Sequence, residues 1–178
     1  MRIVGGIYKG RTLTAFDGDK IRPTADKVRE SLFNILQFKI AGASFLDLFA
    51  GTGAMGIEAL SRGADSVTFN DASRESLKVL KTNLEKLKVT EKITVKNFDA
   101  VTLLKSSTQK FDIIYVDPPY KTTLGLDALK VAENALKENG VIIFEDEKPF
   151  DGEISGLKVT DRRKYGRVHL TFFVKGEN

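Results

Sequence analysis

The chain has 178 residues, of which 42% are hydrophobic and 29% are charged, a composition typical of one soluble globular domain. It contains no cysteine, which excludes a disulfide framework and a thiolate metal site. No apolar run approaches the ~20 residues that span a membrane, and no signal peptide follows Met1, so we expect a cytoplasmic protein.

The formal net charge of +4 is unevenly distributed along the chain. Residues 1–40 carry a net +4, residues 41–156 a net −4, and residues 157–178 a net +4 again. Basic ends around an acidic centre suit a polyanionic partner such as nucleic acid. Scattered solvated lysines would explain the same charges, so the distribution alone does not decide between the two interpretations.

The first forty residues predict a small extension. Residues 2–14 favour a β-hairpin, because glycines supply turn points there. Residues 25–38 favour a helix with Thr24 as its N-cap. The apolar face of this helix is predicted to consist of Val28, Leu32, Ile35 and Leu36.

From residue 44 onwards, β-prone runs alternate with amphipathic stretches. The predicted strands are 45–49, 66–69, 93–95, 111–116 and 141–144. The predicted helices are 54–62, 73–87, 101–104 and 124–137, the last of which we expect Gly140 to stop. This alternation predicts an α/β fold with a mainly parallel sheet. The β-prone stretches 157–163 and 167–174 predict an antiparallel hairpin that completes the sheet.

A glycine-rich loop follows the first predicted strand. Gly51, Gly53 and Gly56 form a G-x-G-x-x-G pattern, in which glycines allow a tight turn and close approach to a ligand. Asp71 ends the second predicted strand, where a carboxylate can accept hydrogen bonds from ribose hydroxyls. The same pattern occurs in dinucleotide-binding dehydrogenases. Packing glycines and a helix cap at Asp71 are the structural alternatives.

The sequence Asp117-Pro118-Pro119-Tyr120 follows the apolar run 111–116. Neither proline can donate an N–H to a sheet, so the strand must end and leave a carboxylate at its C-terminal end. Open α/β sheets bind ligands at that edge. A carboxylate and carbonyls accept hydrogen bonds from an amino group, and a tyrosine ring can stack on a flat base. The sequence resembles the (D/N/S)-P-P-(Y/F/W) signature of amino-group methyltransferases that use S-adenosylmethionine, and it has no role in hydride transfer.

Four more residues are candidates for cofactor binding. Asp47 precedes the glycine loop, where it can face a ligand's ammonium group, and Phe49 lies at the start of the loop. Asp99 follows the third predicted strand, a position that lies near the adenine in methyltransferase sheets, and Phe98 can border the ring. Asp99 could instead cap the short helix that follows it.

Several segments together resemble one family. They are Arg2–Gly6, Gly10-Arg11, Arg22-Pro23-Thr24, Val28-Arg29-Glu30, Leu32-Phe33-Asn34, residues 47–64 and Asp117–Tyr120. Over nearly the whole chain they are similar to the small-subunit ribosomal RNA guanine-N2 methyltransferase D family. The glycine loop and Asp-Pro-Pro-Tyr occur in many methyltransferases, whereas the N-terminal segments are more specific to this family. Asp71 is a local departure, because many relatives carry the longer glutamate there.

The resemblance implies a Rossmann-like class I methyltransferase with a seven-stranded sheet and S-adenosylmethionine as cofactor. It implies methylation of one guanine in 16S rRNA, within a small ribosomal subunit or an assembly intermediate. Residues 1–40 would form an extension that contacts RNA, and residues 41–178 would form the methyltransferase domain. We expect a monomer without a metal.

The predicted catalytic residues are Asp117, Pro118, Pro119 and Tyr120. In this hypothesis Asp117 accepts a hydrogen bond from the guanine N2 amine, the Pro118 carbonyl is a second acceptor, and Tyr120 stacks on the base. The target guanine is expected to flip out of its stack to reach them.

Basic residues at both ends of the chain are candidates for phosphate contacts. They are Arg2, Lys9, Arg11, Arg22, Lys27 and Arg29 near the N-terminus, and Arg162, Arg163, Lys164 and Arg167 in the C-terminal hairpin. Taken singly, each is equally well explained as a solvated surface charge. We expect His169 to be a packing or surface residue, and Glu145-Asp146-Glu147 to be a solvated strand end.

Other functions use some of the same features. A DNA adenine-N6 methyltransferase would share Asp-Pro-Pro-Tyr, but it usually carries a separate recognition domain for which this chain has no room. A protein glutamine methyltransferase is expected to have asparagine before the prolines. A non-catalytic RNA-binding module on the same fold is disfavoured by the intact Asp47 and Asp117. An NAD-dependent oxidoreductase remains as the residual alternative.

Overall fold

The structure is a computed structural model, and it describes residues 1–16 and 23–176. Within these residues the chain forms seven strands: β1 (Ser44–Asp47), β2 (Ser66–Asn70), β3 (Lys92–Lys96), β4 (Phe111–Val116), β5 (Leu136–Asp146), β6 (Leu157–Tyr165) and β7 (Val168–Lys175). It also forms five α-helices: α1 (Pro23–Ile35), α2 (Ala54–Ser61), α3 (Arg74–Leu87), α4 (Ala100–Ser106) and α5 (Leu124–Ala132).

The described strands make one sheet in the order β3-β2-β1-β4-β5-β7-β6. The first five strands run parallel, and β7 lies antiparallel between β5 and β6. The predicted α/β fold with a C-terminal hairpin is therefore confirmed. Because the parallel strands end at one edge, the chain segments that follow β1, β4 and β5 meet there.

Alternate residues of the strands contribute to two core layers. In β4, Ile113 and Tyr115 pack in the layer that contains residues of α1, α2 and α3. Ile114 and Val116 pack in the opposite layer with residues of α4 and α5. This alternation fixes the face on which each residue at the end of a strand lies.

The boundary between α5 and β5 differs from the prediction. The helix ends at Ala132, a single 3₁₀ turn follows, and the strand begins at Leu136. The predictions that the helix extends to residue 137 and that Gly140 stops it are therefore wrong. Leu136 is fully buried and pairs with Phe111 of β4. Sheet pairing and core burial therefore outweigh the helical pattern at residues 136–140.

Helix α1 also differs in detail. It spans Pro23–Ile35 instead of residues 25–38, and Ile35 is 37% exposed, whereas Phe33 is fully buried. The predicted apolar face is correct for Val28, Leu32 and Leu36, which are buried, but not for Ile35. Because the helix begins at Pro23, Thr24 lies within its first turn, and the prediction that it is the N-cap is wrong.

The N-terminal segment, residues 1–14, is held by contacts with distant parts of the chain. The segment contains one antiparallel bridge, between Arg2 and Thr12, instead of the full hairpin that we expected. Gly6 has φ of 74°, and a Cβ there would lie 1.7 Å from the Ser61 carbonyl oxygen. Ile3 is buried in the core layer that contains α2 and α3, so one layer spans the predicted boundary at residue 40.

Among the described residues, no helix is both long enough and apolar enough to cross a membrane.

Candidate active site

A cavity of about 570 Å³ lies at the C-terminal ends of β1, β4 and β5. Its wall includes residues that the sequence predicts to be functional: Asp47, Phe49, Gly51, Asp117, Tyr120, Arg29 and Arg167. It also includes residues with no predicted functional role, among them Met1, Phe16, Tyr115 and Glu145. The volume falls within the ~300–1,000 Å³ that is usual for small-molecule sites.

The glycine loop forms one side of this cavity, and its glycines have different roles. Gly53 precedes α2 with φ of 85°, and a Cβ there would lie 2.2 Å from a methyl carbon of Leu80. A Cβ on Gly56 would lie 2.2 Å from the Phe69 ring, so this glycine allows α2 to pack on the sheet. Gly51 has φ of 55° and open space around its Cβ position, which leaves room for a ligand beside the loop.

Asp47 lies at the end of β1 and is only 1% exposed. Its Oδ2 accepts a hydrogen bond of 2.9 Å from the Gly56 N–H. The pKa of Asp47 is raised to about 7, mainly by burial; the Gly56 N–H opposes this shift, and the negative charge of Asp71 adds to it. A cationic group in the cavity would stabilise the ionised form of this carboxyl group.

The raised pKa of Asp47 gives a testable pH dependence. The folded protein binds this proton more tightly than the unfolded chain does, so the associated stability is full below the usual pKa of 3.8 and is lost as the pH rises through about 7. We expect the wild type to lose up to ~4 kcal/mol of unfolding free energy relative to Asp47→Asn over that range. Urea unfolding of both proteins between pH 4 and pH 8 measures the difference. If the unfolding free energies of the two proteins changed in parallel with pH, the raised pKa could not belong to Asp47.

Asp71 supports the glycine loop directly. Its Oδ2 accepts a hydrogen bond of 2.9 Å from the Gly51 N–H, and its Oδ1 accepts one of 2.8 Å from the Ser73 N–H. Ser73, not Asp71, is the N-cap of α3. Asp71 therefore holds the loop in place and is partly exposed beside it.

Phe98 and Asp99 lie after β3, outside the residues that line the cavity. Phe98 is 46% exposed. Asp99 caps α4 by accepting a 2.9 Å hydrogen bond from the Thr102 N–H, so the capping alternative is observed. The buried Asn70 side chain donates to the carbonyls of Leu48 and Phe98 and thereby ties this segment to the end of β1.

The strand β4 ends at Val116, immediately before Asp117 and the two prolines, as predicted. Asp117 borders the main cavity and also a smaller one of about 70 Å³ that Pro118, Pro119 and Tyr120 line. Asp117 is exposed when the residue is taken as a whole. Desolvation by the protein atoms near its carboxyl group nevertheless raises the pKa of Asp117 well above its usual value, and the neighbouring charges of Glu145 and Asp47 raise it further.

Glu145 belongs to the same site, contrary to the prediction of a solvated strand end. It lies near the end of β5, borders both cavities, and accepts a hydrogen bond from the buried Tyr115 hydroxyl. Burial raises the pKa of Glu145, and the Tyr115 hydroxyl opposes the shift. Asp146 and Glu147 are exposed, as expected of a strand end. Among the described residues, no group of three His, Cys, Asp or Glu is arranged to hold a metal ion.

The basic residues that we expected to contact RNA fall into different environments. Arg29 is 3% exposed; it pairs with Asp26 at 2.9 Å and approaches Glu58 at 3.5 Å. Arg29 is therefore not the surface cation that its predicted phosphate contact requires, because its guanidinium interacts with Asp26, with the buried Glu58 and with the Arg2 carbonyl. Arg22 lies outside the described residues.

The remaining candidates are exposed: Arg2, Lys9, Arg11, Lys27, Arg162, Arg163, Lys164 and Arg167. Arg11 donates to the Leu87 carbonyl at 3.0 Å, Arg162 donates to the Phe150 carbonyl at 3.3 Å, and Arg163 pairs with Asp161 at 2.8 Å. Arg167 lies at the turn of the β6–β7 hairpin and borders the main cavity. Their contact with RNA stays a prediction.

The strand order, the glycine loop after β1 and the Asp-Pro-Pro-Tyr after β4 define a Rossmann-like methyltransferase. The solved structure of the Escherichia coli protein YhhF, described as a methyltransferase, has a TM-score of 0.86 and 31% sequence identity. That match covers 98% of this chain and 97% of the other.

The chain belongs to the family described as Conserved hypothetical protein 95, whose model matches residues 1–174. The ribosomal RNA small subunit methyltransferase D of Escherichia coli is 41% identical over 145 residues, covering 82% of this chain and 71% of the relative. Its counterpart in Haemophilus influenzae is 39% identical over 153 residues, covering 83% and 79%. The resemblance to the methyltransferase D family is thus confirmed.

Proposed function

We propose that this protein transfers a methyl group from S-adenosylmethionine to the N2 amine of one guanine in 16S rRNA. The observation that carries the proposal is Asp117, an acidic side chain that follows β4, borders the cavity and precedes the exposed Tyr120 by three residues. The relatives named ribosomal RNA small subunit methyltransferase D support an rRNA substrate. We expect the protein to act as a monomer in the cytoplasm, on a small ribosomal subunit or an assembly intermediate.

The residues around the main cavity fit the cofactor. Asp47, whose pKa is raised to about 7, suits the ammonium group, and the open side of Gly51 gives the loop room for a ligand. Asp71 would accept from the ribose, while Phe49, Phe98 and Asp99 would border the adenine. When bound, S-adenosylmethionine supplies the methyl group: a bond from N2 to the methyl carbon forms, the sulfur–methyl bond breaks, and one N2 proton leaves.

The Asp-Pro-Pro-Tyr residues would orient and activate the base. The guanine N2 lone pair is delocalised into the ring, so a site must hold N2 in line and stabilise the charge that develops on nitrogen. Asp117 would accept a hydrogen bond from N2, and its raised pKa makes it a better proton acceptor than an ordinary aspartate. The Pro118 carbonyl would be a second acceptor, and Tyr120 would stack on the ring.

The exposed basic residues at the two ends of the chain would bind the RNA backbone. RNA phosphates bind to cationic side chains, whereas several acids line the cavity. The RNA backbone would therefore be held outside the cavity while the flipped base enters it. Residues 1–40 would act as an RNA-contacting extension beside the methyltransferase domain, residues 41–178. Arg167, which borders the cavity, would contact the RNA close to the target guanine.

The test of this proposal is transfer of tritiated methyl groups from S-adenosylmethionine to small ribosomal subunits that lack the modification, followed by nucleoside analysis. We expect labelled N2-methylguanosine in 16S rRNA at a single position. Labelling of free RNA or DNA without labelling of subunits would overturn the ribosomal substrate but keep the chemistry. Binding of the cofactor without any transfer would favour a non-catalytic RNA-binding module.

A further inference from the structure

Asp117 and Glu145 lie side by side at the ends of neighbouring strands. In the parallel pairing of β4 with β5, Tyr115 is opposite Ile143 and Val116 is opposite Phe144, so Asp117 and Glu145 follow at the next step. Adjacent strands are separated by ~4.8 Å. Since side chains alternate, both residues continue the face on which Tyr115 and Ile143 lie.

The contacts of Glu145 fix its position and leave its carboxylate able to accept further hydrogen bonds. The buried Tyr115 hydroxyl donates to its Oε2. A carboxylate has about four lone-pair sites, so one hydrogen bond does not saturate it. Glu145 borders both the main cavity and the small cavity beside Pro118 and Tyr120, so those sites are available to a ligand there.

The charge of the pair is not offset by a neighbouring cation. Within residues 1–16 and 23–176, no lysine, arginine or histidine forms an ion pair with Asp117 or Glu145. In their ionised forms the two carboxylates accept hydrogen bonds and cannot donate them. A ligand that binds the pair with both groups ionised and satisfied must therefore present two adjacent donors.

Among the RNA bases, guanine alone has two adjacent donors on its Watson–Crick edge, N1–H and the N2 amine. Adenine and cytosine each place an acceptor nitrogen beside their amino group, and uracil has no amino group. A flipped base is read on this edge. Building on the proposed function, we propose that Glu145 accepts a hydrogen bond from guanine N1–H while Asp117 accepts one from N2, so that the two carboxylates together select guanine.

The test compares guanine with 2-aminopurine, which keeps the N2 amine but has a lone pair at N1. Once the modified guanine has been located, subunits are reconstituted with 16S rRNA that carries either base at that single position. We expect the wild type to methylate guanine at least ~100-fold faster in single-turnover reactions, because a site built for a donor rejects an analogue that lacks it. We expect Glu145→Gln to lower the ratio of the guanine rate to the 2-aminopurine rate by at least ~10-fold, since the glutamine amide can donate to N1 of 2-aminopurine.

A matched variant separates recognition from loss of charge. Glu147→Gln removes one negative charge from the wall of the same cavity, and we expect it to keep the wild-type preference for guanine. If both variants lowered the ratio of the guanine rate to the 2-aminopurine rate equally, the inference would be overturned. So would equal wild-type rates on the two bases, a result that needs no variant to fold. Wild-type transfer to neither base would instead overturn the proposed function together with this inference.

Discussion

Replacing Asp117 with alanine is expected to lower the single-turnover rate of methyl transfer by about 10²–10³-fold, the usual cost of removing one group that stabilises developing charge. The carboxylate borders the cavity, and its pKa is raised well above the usual value, so its loss removes both a hydrogen-bond acceptor and a proton acceptor. The measurement is a rapid-quench assay with saturating cofactor and with the enzyme in excess over the small subunits.

Two controls make this result specific. Calorimetry is expected to show that Asp117→Ala still binds S-adenosylmethionine, because Asp47 and the glycine loop remain. Asp65→Ala, which removes an exposed aspartate just before β2, is expected to react at the wild-type rate. If Asp117→Ala reacted within a few-fold of the wild type, Asp117 would have no direct part in the transfer.

Replacing Glu58 with alanine is expected to destabilise the fold by about 3–5 kcal/mol, because it removes one of the two acidic partners of the buried Arg29 charge. Glu58 is completely buried; its Oε1 accepts a 2.8 Å hydrogen bond from Arg62, and its Oε2 approaches Arg29 at 3.5 Å. Oε2 also accepts from the Val4 N–H at 3.0 Å. Without this carboxylate, Arg29 loses one of two acidic partners, and the N-terminal segment loses an anchor. Urea unfolding measures the change.

The matched control is Glu138→Ala. Glu138 also pairs with a cation, Lys175 at 3.3 Å, but its side chain is 83% exposed. Exposed ion pairs contribute little, so this variant should unfold at nearly the wild-type urea concentration. Similar losses in both variants would indicate that the buried network around Glu58 has no special importance.

The sequence was sufficient to locate the end of β4 because proline leaves the backbone few choices. Two prolines after an apolar run had to end this strand near Val116, and the alternation of elements indicated a mainly parallel sheet whose strands end at one edge. The pairing of β4 with β1 comes from the structure, in which Asp47, Phe49, Gly51, Asp117 and Tyr120 border one cavity. Their chemical roles remain proposals.

Glu145 and Arg29 escaped prediction because their environments depend on distant parts of the chain. Glu145 looked like a solvated acid after a strand, and only the pairing of β5 with β4 places it beside Asp117. Arg29 was interpreted as a surface cation, yet it lies four residues before the buried Phe33 and so on the inner face of α1. Helical spacing would have revealed its burial, although not its partner Glu58.

The anchoring of the N-terminal segment makes the cavity a late product of folding. Tyr8 donates to Glu91, 83 residues later, and Thr14 donates to the buried Asn83, whose amide also holds the Thr52 carbonyl. At ~5–20 residues per second, these partners leave the ribosome only some seconds after the segment itself. Met1 and Gly166 both border the cavity, so its wall is closed only once the hairpin has been synthesised. A nascent chain therefore gains no stability from ligand binding until synthesis is nearly complete.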